Sequence, residues 1–294
     1  MKDVAAIVVT YNRKDLLKEC LRRLMEQRGA ECDIVLIDNA STDGTYEELL
    51  PLINEKKIIY FNTEKNLGGA GGFQYGIIKA AALGYKYAWL MDDDTYVKRD
   101  SLEKLLSADK RLNGNYGFLS SVAYWKDGSI CNMNRQKISL KEKVSDYRSA
   151  EVPVIMATFV SFFVKMDVVK KVGLPIKEFF IWSDDLEYTR RISRQMPCYM
   201  IPESKVLHYM GSNNKVGIES ESEERLWRYE LVYRNEMYLY RREGIKGQFY
   251  MFSRVCFHIL KVLLKAKESK LKKIKVILKS FNAGFKFKPE IEYL

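Results

Sequence analysis

Cysteine is scarce in this chain of 294 residues. The five cysteines are Cys20, Cys32, Cys131, Cys198 and Cys256, and no two of them form a Cys-x-x-Cys pair. An odd number of scattered cysteines argues against a disulfide framework and against a zinc site, and it favours a reducing compartment. Histidine is scarcer still, with two residues, so each one can be weighed individually.

Long apolar runs are also missing. The first run, residues 4–9, is far too short for the apolar region of a signal peptide or for a membrane span, and it fits a first β-strand. We therefore expect a cytoplasmic protein with no segment that takes it across a membrane.

The excess positive charge lies at one end of the chain. The whole sequence carries a formal net charge of +11. Residues 225–294 hold 17 Lys and Arg against 6 Asp and Glu, which is also +11, so the preceding residues are neutral overall. Such an asymmetry indicates an anionic partner for the last quarter, either a nucleic acid or a phospholipid surface.

The first half of the chain alternates short apolar runs with segments of helical periodicity. Strands are predicted at residues 4–9, 34–37, 58–61 and 87–91, and helices at 14–26, from about Tyr46, and at 72–82. This βαβ rhythm with continuous apolar strands predicts an α/β fold with a mostly parallel central sheet flanked by helices. Ligands bind at the carboxyl ends of the strands in such sheets.

Polar or glycine-rich segments follow the four predicted strands, at residues 10–13, 38–44, 66–72 and 92–95. Because parallel strands end at one edge, these segments outline a site for a nucleoside diphosphate. Asp38 could accept hydrogen bonds from a base or a ribose, and the glycine-rich loop lets backbone N–H groups approach a phosphate or sugar. Asp43 and Gly44 fit an ordinary turn better.

Three consecutive carboxylates, Asp92, Asp93 and Asp94, follow the fourth strand. Buried anions are costly unless they are paired or hold a metal. Side chains alternate along a strand, so Asp92 and Asp94 should point to one side and Asp93 to the other. Two oxygen ligands on one side suit Mn²⁺ or Mg²⁺. The alternative is a solvated acidic turn before Lys98.

Two common nucleotide-binding motifs do not fit the glycine-rich segment. Gly69-Ala70-Gly71 begins a Gly-x-Gly-x-x-Gly pattern, but its third glycine position is Gln74, and the segment follows the third strand instead of the first. The Lys-Ser/Thr pair of a P-loop does not follow these glycines either. A dinucleotide-dependent enzyme would also leave the three aspartates without a role.

Four motifs in order resemble those of the family 2 inverting glycosyltransferases of GT-A fold: VVTYNR at 8–13, IDNASTDG at 37–44, NLGGAGGF at 66–73 and MDDD at 91–94. Within that family the chain most resembles the bacterial galactofuranosyltransferases, with rhamnosyltransferases next. The resemblance implies a metal-dependent transfer of galactofuranose from UDP-galactofuranose to a hydroxyl of a lipid-linked or polysaccharide acceptor, in the synthesis of cell-surface glycans such as the cell wall or capsule. The alternative donor is dTDP-rhamnose.

The resemblance also implies roles for individual residues. The donor-binding positions are Thr10, Tyr11, Asn12, Arg13, Asp38, Asn66, Gly68, Gly69 and Asp93. Asp92 and Asp94 match the metal ligands. His208 matches a histidine that completes the metal site in the similar galactofuranosyltransferases, although a lone histidine at a strand end is more often structural. We expect His258 to be structural.

A second acidic cluster, Ser183-Asp184-Asp185-Leu186-Glu187, follows an aromatic run. Asp184 with Glu187 fits a capping box at the start of a helix that runs to Arg194. The resemblance assigns the general base to Asp185, which would take a proton from the acceptor hydroxyl. Trp182 could stack on a sugar ring or fill the core, and with Asp184 it is our candidate for acceptor binding. A strand at 155–164 is expected to line the pocket.

The composition changes after residue 218, where we place the boundary between a catalytic domain, 1–218, and a basic helical region, 219–294. A helix is predicted at 225–242 and contains Tyr233-Arg234-Asn235, a segment that resembles one near the catalytic domain of related transferases. Beyond it, two apolar helix faces are predicted, one from Phe252, Val255, Ile259 and Leu263 and one from Leu271, Ile274, Leu278 and Phe281.

Basic amphipathic helices of this kind lie on anionic membrane surfaces. We therefore expect a peripheral protein on the inner face of the cell membrane that binds a nucleotide-sugar donor and a glycan or glycolipid acceptor, but no nucleic acid. Packing of these helices on the catalytic domain or on another subunit of a homo-oligomer is the alternative. Two hypotheses of other classes are a metal-dependent nucleotidyltransferase and a nucleic-acid-binding protein, but no nucleic-acid motif is recognisable.

Overall fold

The computed structural model describes residues 2–213 and 216–294. Its first half runs β1 (Val4–Thr10), α1 (Lys14–Met25), β2 (Asp33–Asp38), α2 (Thr45–Asn54), β3 (Ile58–Asn62), α3 (Gly68–Ala82) and β4 (Tyr87–Asp92). All four predicted strands are present, and each extends one residue further toward its carboxyl end than predicted. The polar residue at each strand end is therefore held in the sheet.

The second half continues the sheet and then becomes helical. Its elements are β5 (Thr95–Val97), α4 (Ser101–Arg111), β6 (Phe118–Tyr124), β7 (Val152–Pro153), β8 (Phe162–Lys165), α5 (Met166–Val172), α6 (Asp184–Ser193), β9 (Tyr199–His208), α7 (Leu226–Arg241), α8 (Gly244–Lys265) and α9 (Lys270–Lys286). The strand predicted at 155–164 is wrong over most of its length, because strand geometry begins only at Phe162. Ser161 just before it has φ 59°, a conformation that interrupts an extended chain.

The strands form one sheet in the order β3-β2-β1-β4-β8-β6-β9-β5, and β7 pairs with β9. The strands β3, β2, β1 and β4 are parallel, whereas β8 enters antiparallel between β4 and β6. Apolar cores lie on both faces, one including Ile7 and Phe73, the other including Leu17 and Trp89. The predicted α/β fold class, a mostly parallel sheet flanked by helices, is confirmed.

The glycine-rich segment is the first part of a helix, so the predicted loop is wrong. α3 begins at Gly68, and its glycines Gly68, Gly72 and Gly76 recur every four residues on one face. A Cβ at Gly72 would collide with Val9, and one at Gly76 would collide with Ile7. Gly72 and Gly76 therefore let α3 lie close against β1. The glycine content of the sequence alone does not reveal this packing role.

The C-terminal helices pack on the rest of the protein. Tyr233 and Met237 of α7 share a buried core with Val255 of α8 and with Met156 and Trp182 from earlier in the chain. The predicted apolar faces of α8 and α9 are partly wrong, because each one combines residues that face the core with residues that face the solvent. Val255, Ile259, Ile274 and Phe281 face this core, whereas Phe252, Leu263, Leu271 and Leu278 are exposed. No helix within 2–213 and 216–294 is long and apolar enough to cross a bilayer.

Candidate active site

The carboxyl ends of the parallel strands meet at one edge of the sheet. The register aligns Thr10 of β1 with Asp38 of β2, and Asp38 with Asn62 of β3. On the other side of β1, Val9 lies beside Asp92 at the end of β4. The backbone therefore brings together polar segments that are far apart in the sequence, which is the arrangement that the βαβ rhythm predicts.

The pairing of two short strands places His208 beside the aspartates. Asp92 ends β4, the next two residues form a turn, and β5 begins at Thr95. β5 pairs antiparallel with β9, so that Thr95 lies opposite His208. The N–H of Tyr209 also donates to the carbonyl oxygen of Asp94 at 2.8 Å, which fixes this register. The ladder thus joins two parts of the site that lie 114 residues apart.

The side chains of Asp92, Asp94 and His208 form a cluster that suits a divalent metal. One ligand atom from each lies within 4.8 Å of the others. Asp94 and His208 are buried, and Asp92 is half-buried. Two carboxylates and an imidazole are ligand types that Mn²⁺ accepts, and the carboxylates also suit Mg²⁺. The side chains present therefore fit the metal that the sequence predicts.

Positive groups already contact the aspartate turn. Arg13 places Nη2 2.6 Å from Asp94 Oδ2 and Nη1 2.9 Å from Asp93 Oδ1. His208 Nε2 lies 3.0 Å from Asp94 Oδ1. Burial alone would raise the pKa of Asp94, but its contacts with His208 and Arg13 hold that pKa below its ordinary value. Burial would lower the pKa of His208, but the contact with Asp94 raises it to about 10.

Asp92 and Asp93 have environments that favour the neutral acid more than that of Asp94. Burial and the charge of Asp94 raise the pKa of Asp92 to about 6. Burial, partly offset by the charge of Arg13, raises the pKa of Asp93 to about 7. The hydroxyl of Thr10 donates to Asp93 Oδ2 at 2.8 Å. Asp93 is therefore held by residues from the end of β1 and just beyond it, whereas Asp92 and Asp94 lie near the histidine.

A buried asparagine, Asn134, orients His208, and the sequence analysis missed it. Asn134 Oδ1 lies 2.8 Å from His208 Nδ1, and it also accepts from Cys131 Sγ at 2.8 Å. Its amide nitrogen donates to the hydroxyl of Thr158 at 3.0 Å. Because an amide oxygen only accepts, Nδ1 of His208 donates, and Nε2 faces Asp94. Asn134 lies in an irregular segment without periodicity, so the sequence offers no signal for it.

The candidate donor-binding residues Asp38 and Asn12 form hydrogen bonds with other residues of the protein. Asp38 is buried, and its two oxygens accept from the hydroxyl of Tyr60 at 2.6 Å and from the N–H of Ser41 at 2.8 Å. Asn12 Oδ1 accepts from the N–H of Thr42 at 2.7 Å. A nucleoside could reach Asp38 only through the remaining lone pairs of its oxygens.

The other donor candidates lie at the start of α3 or beside β1. Asn66 Oδ1 accepts from the N–H of Gly68 at 2.8 Å. A Cβ at Gly68, where φ is +70°, would collide with the carbonyl of Phe180, whereas a Cβ at Gly69 would meet open space. Tyr11 is exposed at the end of β1. Gly68 is thus required by packing, and Gly69 and Tyr11 are accessible to a ligand.

The second acidic cluster opens α6, but the predicted capping box is wrong. The helix begins at Asp184, one residue earlier than a box with Glu187 requires, and the described N-cap, Ser183, makes no side-chain cap hydrogen bond. Glu187 instead pairs with Arg191 at 2.9 Å inside the protein. Asp185 is half-buried and its Oδ1 accepts from the N–H of Leu186 at 2.7 Å.

The loop that leads to the second acidic cluster contacts the start of α3, because the carbonyl oxygen of Phe180 accepts from the N–H of Ala70 at 3.1 Å. Burial, then the charge of Asp185, and then the charge of Asp92 raise the pKa of Asp184 above its ordinary value. Asp184 is buried, so Asp185 is the more accessible of the pair. Trp182 packs edge-on against Tyr229 of α7, with 5.5 Å between ring centroids, and is also partly exposed. The site therefore contains one carboxylate cluster near a histidine and one accessible carboxylate on a helix N-terminus.

Comparisons of sequence identify relatives of the chain. Residues 5–173 match the family model described as glycosyl transferase family 2. Galactofuranosyltransferase GlfT1 of Mycolicibacterium smegmatis is 26% identical over 268 residues, which cover 83% of this chain and 84% of that protein. Poly-beta-1,6-N-acetyl-D-glucosamine synthase of Staphylococcus aureus is 24% identical over 101 residues, 34% of this chain and 24% of that protein.

Solved structures share the fold at lower identity. S. aureus TarS 1-349 is 15% identical with a TM-score of 0.55, covering 98% of this chain and 72% of that chain. The mannosyltransferase PcManGT from Pyrobaculum calidifontis, in complex with GDP-Man and Mn²⁺, is 14% identical with a TM-score of 0.57, covering 97% of this chain and 75% of that chain. At these identities the likeness concerns the fold alone.

Binding of Mn²⁺ should release a proton from His208. The imidazole must be neutral to bind a metal, and the pKa of His208 in the metal-free protein is about 10. At about pH 8, where Asp92 and Asp93 are already ionised, we expect about one proton to be released for each Mn²⁺ bound. The affinity should therefore increase by up to about tenfold for each unit of pH. Isothermal titration calorimetry in buffers of different ionisation enthalpy measures both quantities.

The variant His208→Gln is the matched control for this release. It should bind Mn²⁺ more weakly and release no proton at the same pH. Equal proton release by the two proteins would contradict a role of His208 as a ligand.

Proposed function

The chain belongs to glycosyl transferase family 2, and we propose that it transfers galactofuranose with inversion from UDP-galactofuranose to a hydroxyl of a lipid-linked or polysaccharide acceptor. The proposed context is cell-surface glycan synthesis, such as that of a cell wall or capsule. The observation that carries the proposal is the presence of two separate acidic groups at one edge of the sheet. One has metal-ligand composition, and the other is the accessible carboxylate of Asp185. A rhamnosyltransferase that uses dTDP-rhamnose is the alternative.

Asp92, Asp94 and His208 are the residues that would hold Mn²⁺ or Mg²⁺. A divalent ion bound there supplies positive charge that stabilises the negative charge growing on the departing diphosphate. Asn134 keeps Nε2 of His208 directed at the cluster. Arg13, whose side chain is 42% exposed beside Asp94, adds a fixed positive charge at the same edge, and we assign it to the donor phosphates.

Asp185 is the proposed general base. Its carboxylate takes the proton of the acceptor hydroxyl while that oxygen forms a bond to the anomeric carbon of the donor. The bond from the anomeric carbon to the diphosphate oxygen breaks, and its electron pair leaves with the nucleoside diphosphate. Attack from the face opposite the leaving group inverts the configuration. The N-terminus of α6 favours the ionised form that a base requires.

The remaining candidates surround these two groups. For the donor we propose Thr10, Tyr11, Asn12, Asp38, Asn66, Gly68, Gly69 and Asp93. Of these, Thr10 and Asp93 act by bracing each other through their 2.8 Å hydrogen bond. For the acceptor we propose Trp182, whose partly exposed ring suits stacking on a sugar, and Asp184 at the start of α6.

Membership of the family weakens the hypotheses of other classes. A nucleotidyltransferase could use the same metal ligands, but it has no need for a separate base at Asp185. A nucleic-acid-binding protein would leave the acidic edge of the sheet without a role. Neither hypothesis is favoured by a specific observation, and analysis of reaction products separates the first one from sugar transfer.

We also propose that the protein binds an anionic membrane surface through α8 and α9. Ile245, Phe249 and Phe252 follow one another at spacings of four and three on α8, and Leu260 and Leu263 continue the stripe. The exposed fractions are 86% for Ile245 and 71% for Phe249. An apolar stripe of this length is unusual on the free surface of a protein.

The charge around this stripe favours a membrane over a second copy of the chain. Exposed lysines lie on α8, on α9 and between the two helices, at positions 246, 265, 267, 270, 272, 275 and 279. Two copies of this surface would repel each other, whereas anionic headgroups attract the lysines while the apolar side chains enter the interface. We propose that residues 1–218 form the catalytic domain and that residues 219–294 form a helical region that packs on it and carries this surface.

The variant Asp185→Asn should lose transfer but keep the donor. We expect its kcat to fall by about 10² to 10⁴, because the acceptor hydroxyl loses its base, with the Kd for donor and Mn²⁺ changed by less than about twofold. Asp94→Asn should instead weaken Mn²⁺ binding at least about tenfold and donor binding with it. Initial rates of transfer and calorimetric titrations separate the two effects.

A surface aspartate provides the control. Asp167, whose side chain is 91% exposed on α5, should tolerate Asp167→Asn with unchanged kinetics. Intact transfer by the Asp185→Asn enzyme would remove the assignment of the base.

Among UDP-galactofuranose, UDP-galactose, UDP-glucose and dTDP-rhamnose, the first should stabilise the protein most. A ligand at 100 times its Kd adds about 2.7 kcal/mol to the free energy of unfolding, so thermal melting with Mn²⁺ ranks the four donors. Chelation of the metal should abolish the differences. A preference for dTDP-rhamnose would contradict the assignment of UDP-galactofuranose as the donor, but not the membership of the family.

Replacement of exposed residues of α8 should release the protein from anionic vesicles. The triple variant Ile245→Ser, Phe249→Ser, Phe252→Ser should bind phosphatidylglycerol vesicles at least about tenfold more weakly in sedimentation assays, because each lost apolar side chain contributes more than about 1 kcal/mol. Met25→Ser and Ile138→Ser, exposed residues of the first domain, should bind as the wild type does. Binding that is equal on phosphatidylcholine vesicles and insensitive to salt would contradict the proposal.

A further inference from the structure

The backbone just before the second acidic cluster is strained. Phe180, Trp182 and Ser183 have φ angles of 62°, 66° and 67°. Residues with a side chain rarely adopt this left-handed conformation, and three within four positions is unusual. Strained backbone of this kind persists only where surrounding groups hold it, and it is concentrated at functional sites.

A buried side chain of α7 forms hydrogen bonds with the backbone of this loop. Asn235 of α7 is fully buried, and its amide nitrogen donates to the carbonyl oxygens of Phe179 at 3.0 Å and Trp182 at 3.0 Å. A longer contact of 3.4 Å reaches the carbonyl oxygen of Ile181. The amide oxygen accepts from Arg234 Nε at 3.0 Å and from its Nη2 at 2.8 Å, which fixes the orientation of the amide.

The opposite side of the loop contacts the first turn of α3. The carbonyl oxygen of Phe180 accepts from the N–H of Ala70 at 3.1 Å. Gly68 makes this approach feasible, because a Cβ there would collide with the same carbonyl. The loop is therefore held between α7 and the start of α3. The next residues along the chain are Asp184 and Asp185, which begin α6.

We infer that Asn235 is a positioning residue that fixes residues 179–183 and, through them, the carboxylate of Asp185 relative to the donor. The inference rests on the proposed role of Asp185 as the base. Without the amide donor, three backbone carbonyls lose a partner, and the strained φ angles relax toward ordinary values. Asp185 then no longer meets the acceptor hydroxyl in reactive geometry. The residues that bind the sugar donor and the metal stay in place.

The inference also gives the C-terminal region a second role besides surface binding. The amide of Asn235 comes from the part of the chain that carries the exposed stripe, yet it holds a loop of the first domain. The region after residue 218 therefore contributes a positioning group to the active site.

The test compares three substitutions in α7 of the full-length protein. Asn235→Asp keeps the size of the side chain and the oxygen that faces Arg234, but it replaces the amide N–H donor with a second oxygen. Asn235→Leu also removes this N–H donor and introduces no charge. Tyr233→Phe is the matched control, because this buried tyrosine gives up its 2.8 Å contact with His258 Nδ1, away from the loop. For each protein, kcat of transfer, the Kd of donor and Mn²⁺, the Tm and the hydrogen exchange of residues 179–186 are measured.

Both Asn235 variants should lose about 10- to 100-fold in kcat, with the Kd of donor and Mn²⁺ within about twofold of the wild type. In these variants hydrogen exchange should accelerate at residues 179–186. The control Tyr233→Phe should leave both kcat and this exchange rate unchanged. If kcat of the Asn235 variants fell only in proportion to their Tm, Asn235 would be a stabilising residue only, and the inference would be overturned. Asp185→Asn is assayed in the same experiment. An active Asp185→Asn enzyme would show that the assignment of Asp185 as the base is wrong. An inactive Asp185→Asn enzyme beside fully active Asn235 variants would show that the positioning role of Asn235 is wrong.

Discussion

The accumulation of carboxylates at the end of β4 is the constraint on which the rest of the site depends. Asp93 and Asp94 are buried, and Asp92 is half-buried. Such a group is unfavourable unless positive charge lies close to it. Arg13, from the end of β1, and His208, from the end of β9, supply that charge. The sheet places the end of β1 next to β4, and the pairing of β5 with β9 brings His208 to the same aspartates. This topology therefore supplies the positive charge that the carboxylates need, and it leaves ligands that suit a divalent metal.

Much of the fold could be predicted from the sequence because its strongest signals are local. Continuous apolar strands alternating with amphipathic helices gave the parallel half of the sheet, and that topology gave the convergence of strand ends. The start of α3 was mistaken for a loop, because glycine permits both a loop and close helix packing, and only the contacts of Gly72 and Gly76 distinguish them. The strand predicted at 155–164 failed because apolar character does not report backbone conformation.

The site was predictable only in part, for a related reason. The aspartates and Asp185 belong to motifs, but the neighbours that orient them come from irregular or distant segments. Asn134 lies 74 residues from His208, and Asn235 lies more than 50 residues from the loop it contacts. Asn134 belongs to no periodic pattern or motif. Asn235 belongs to the segment Tyr233-Arg234-Asn235, which resembles one in related transferases but does not indicate which loop it contacts. The apolar faces of α8 and α9 were similarly mixed, because helical spacing identifies stripes but does not say which stripe meets the core and which meets the solvent.

The most direct test of the account is the position of Mn²⁺ in a crystal of the protein grown with Mn²⁺ and UDP. Anomalous scattering locates the ion independently of the fitted coordinates. We predict a peak within coordination distance of Asp92, Asp94 and His208, with the diphosphate of UDP on its open side. A peak elsewhere, with the diphosphate bound away from the end of β4, would contradict the central claim that these strand ends form the donor site.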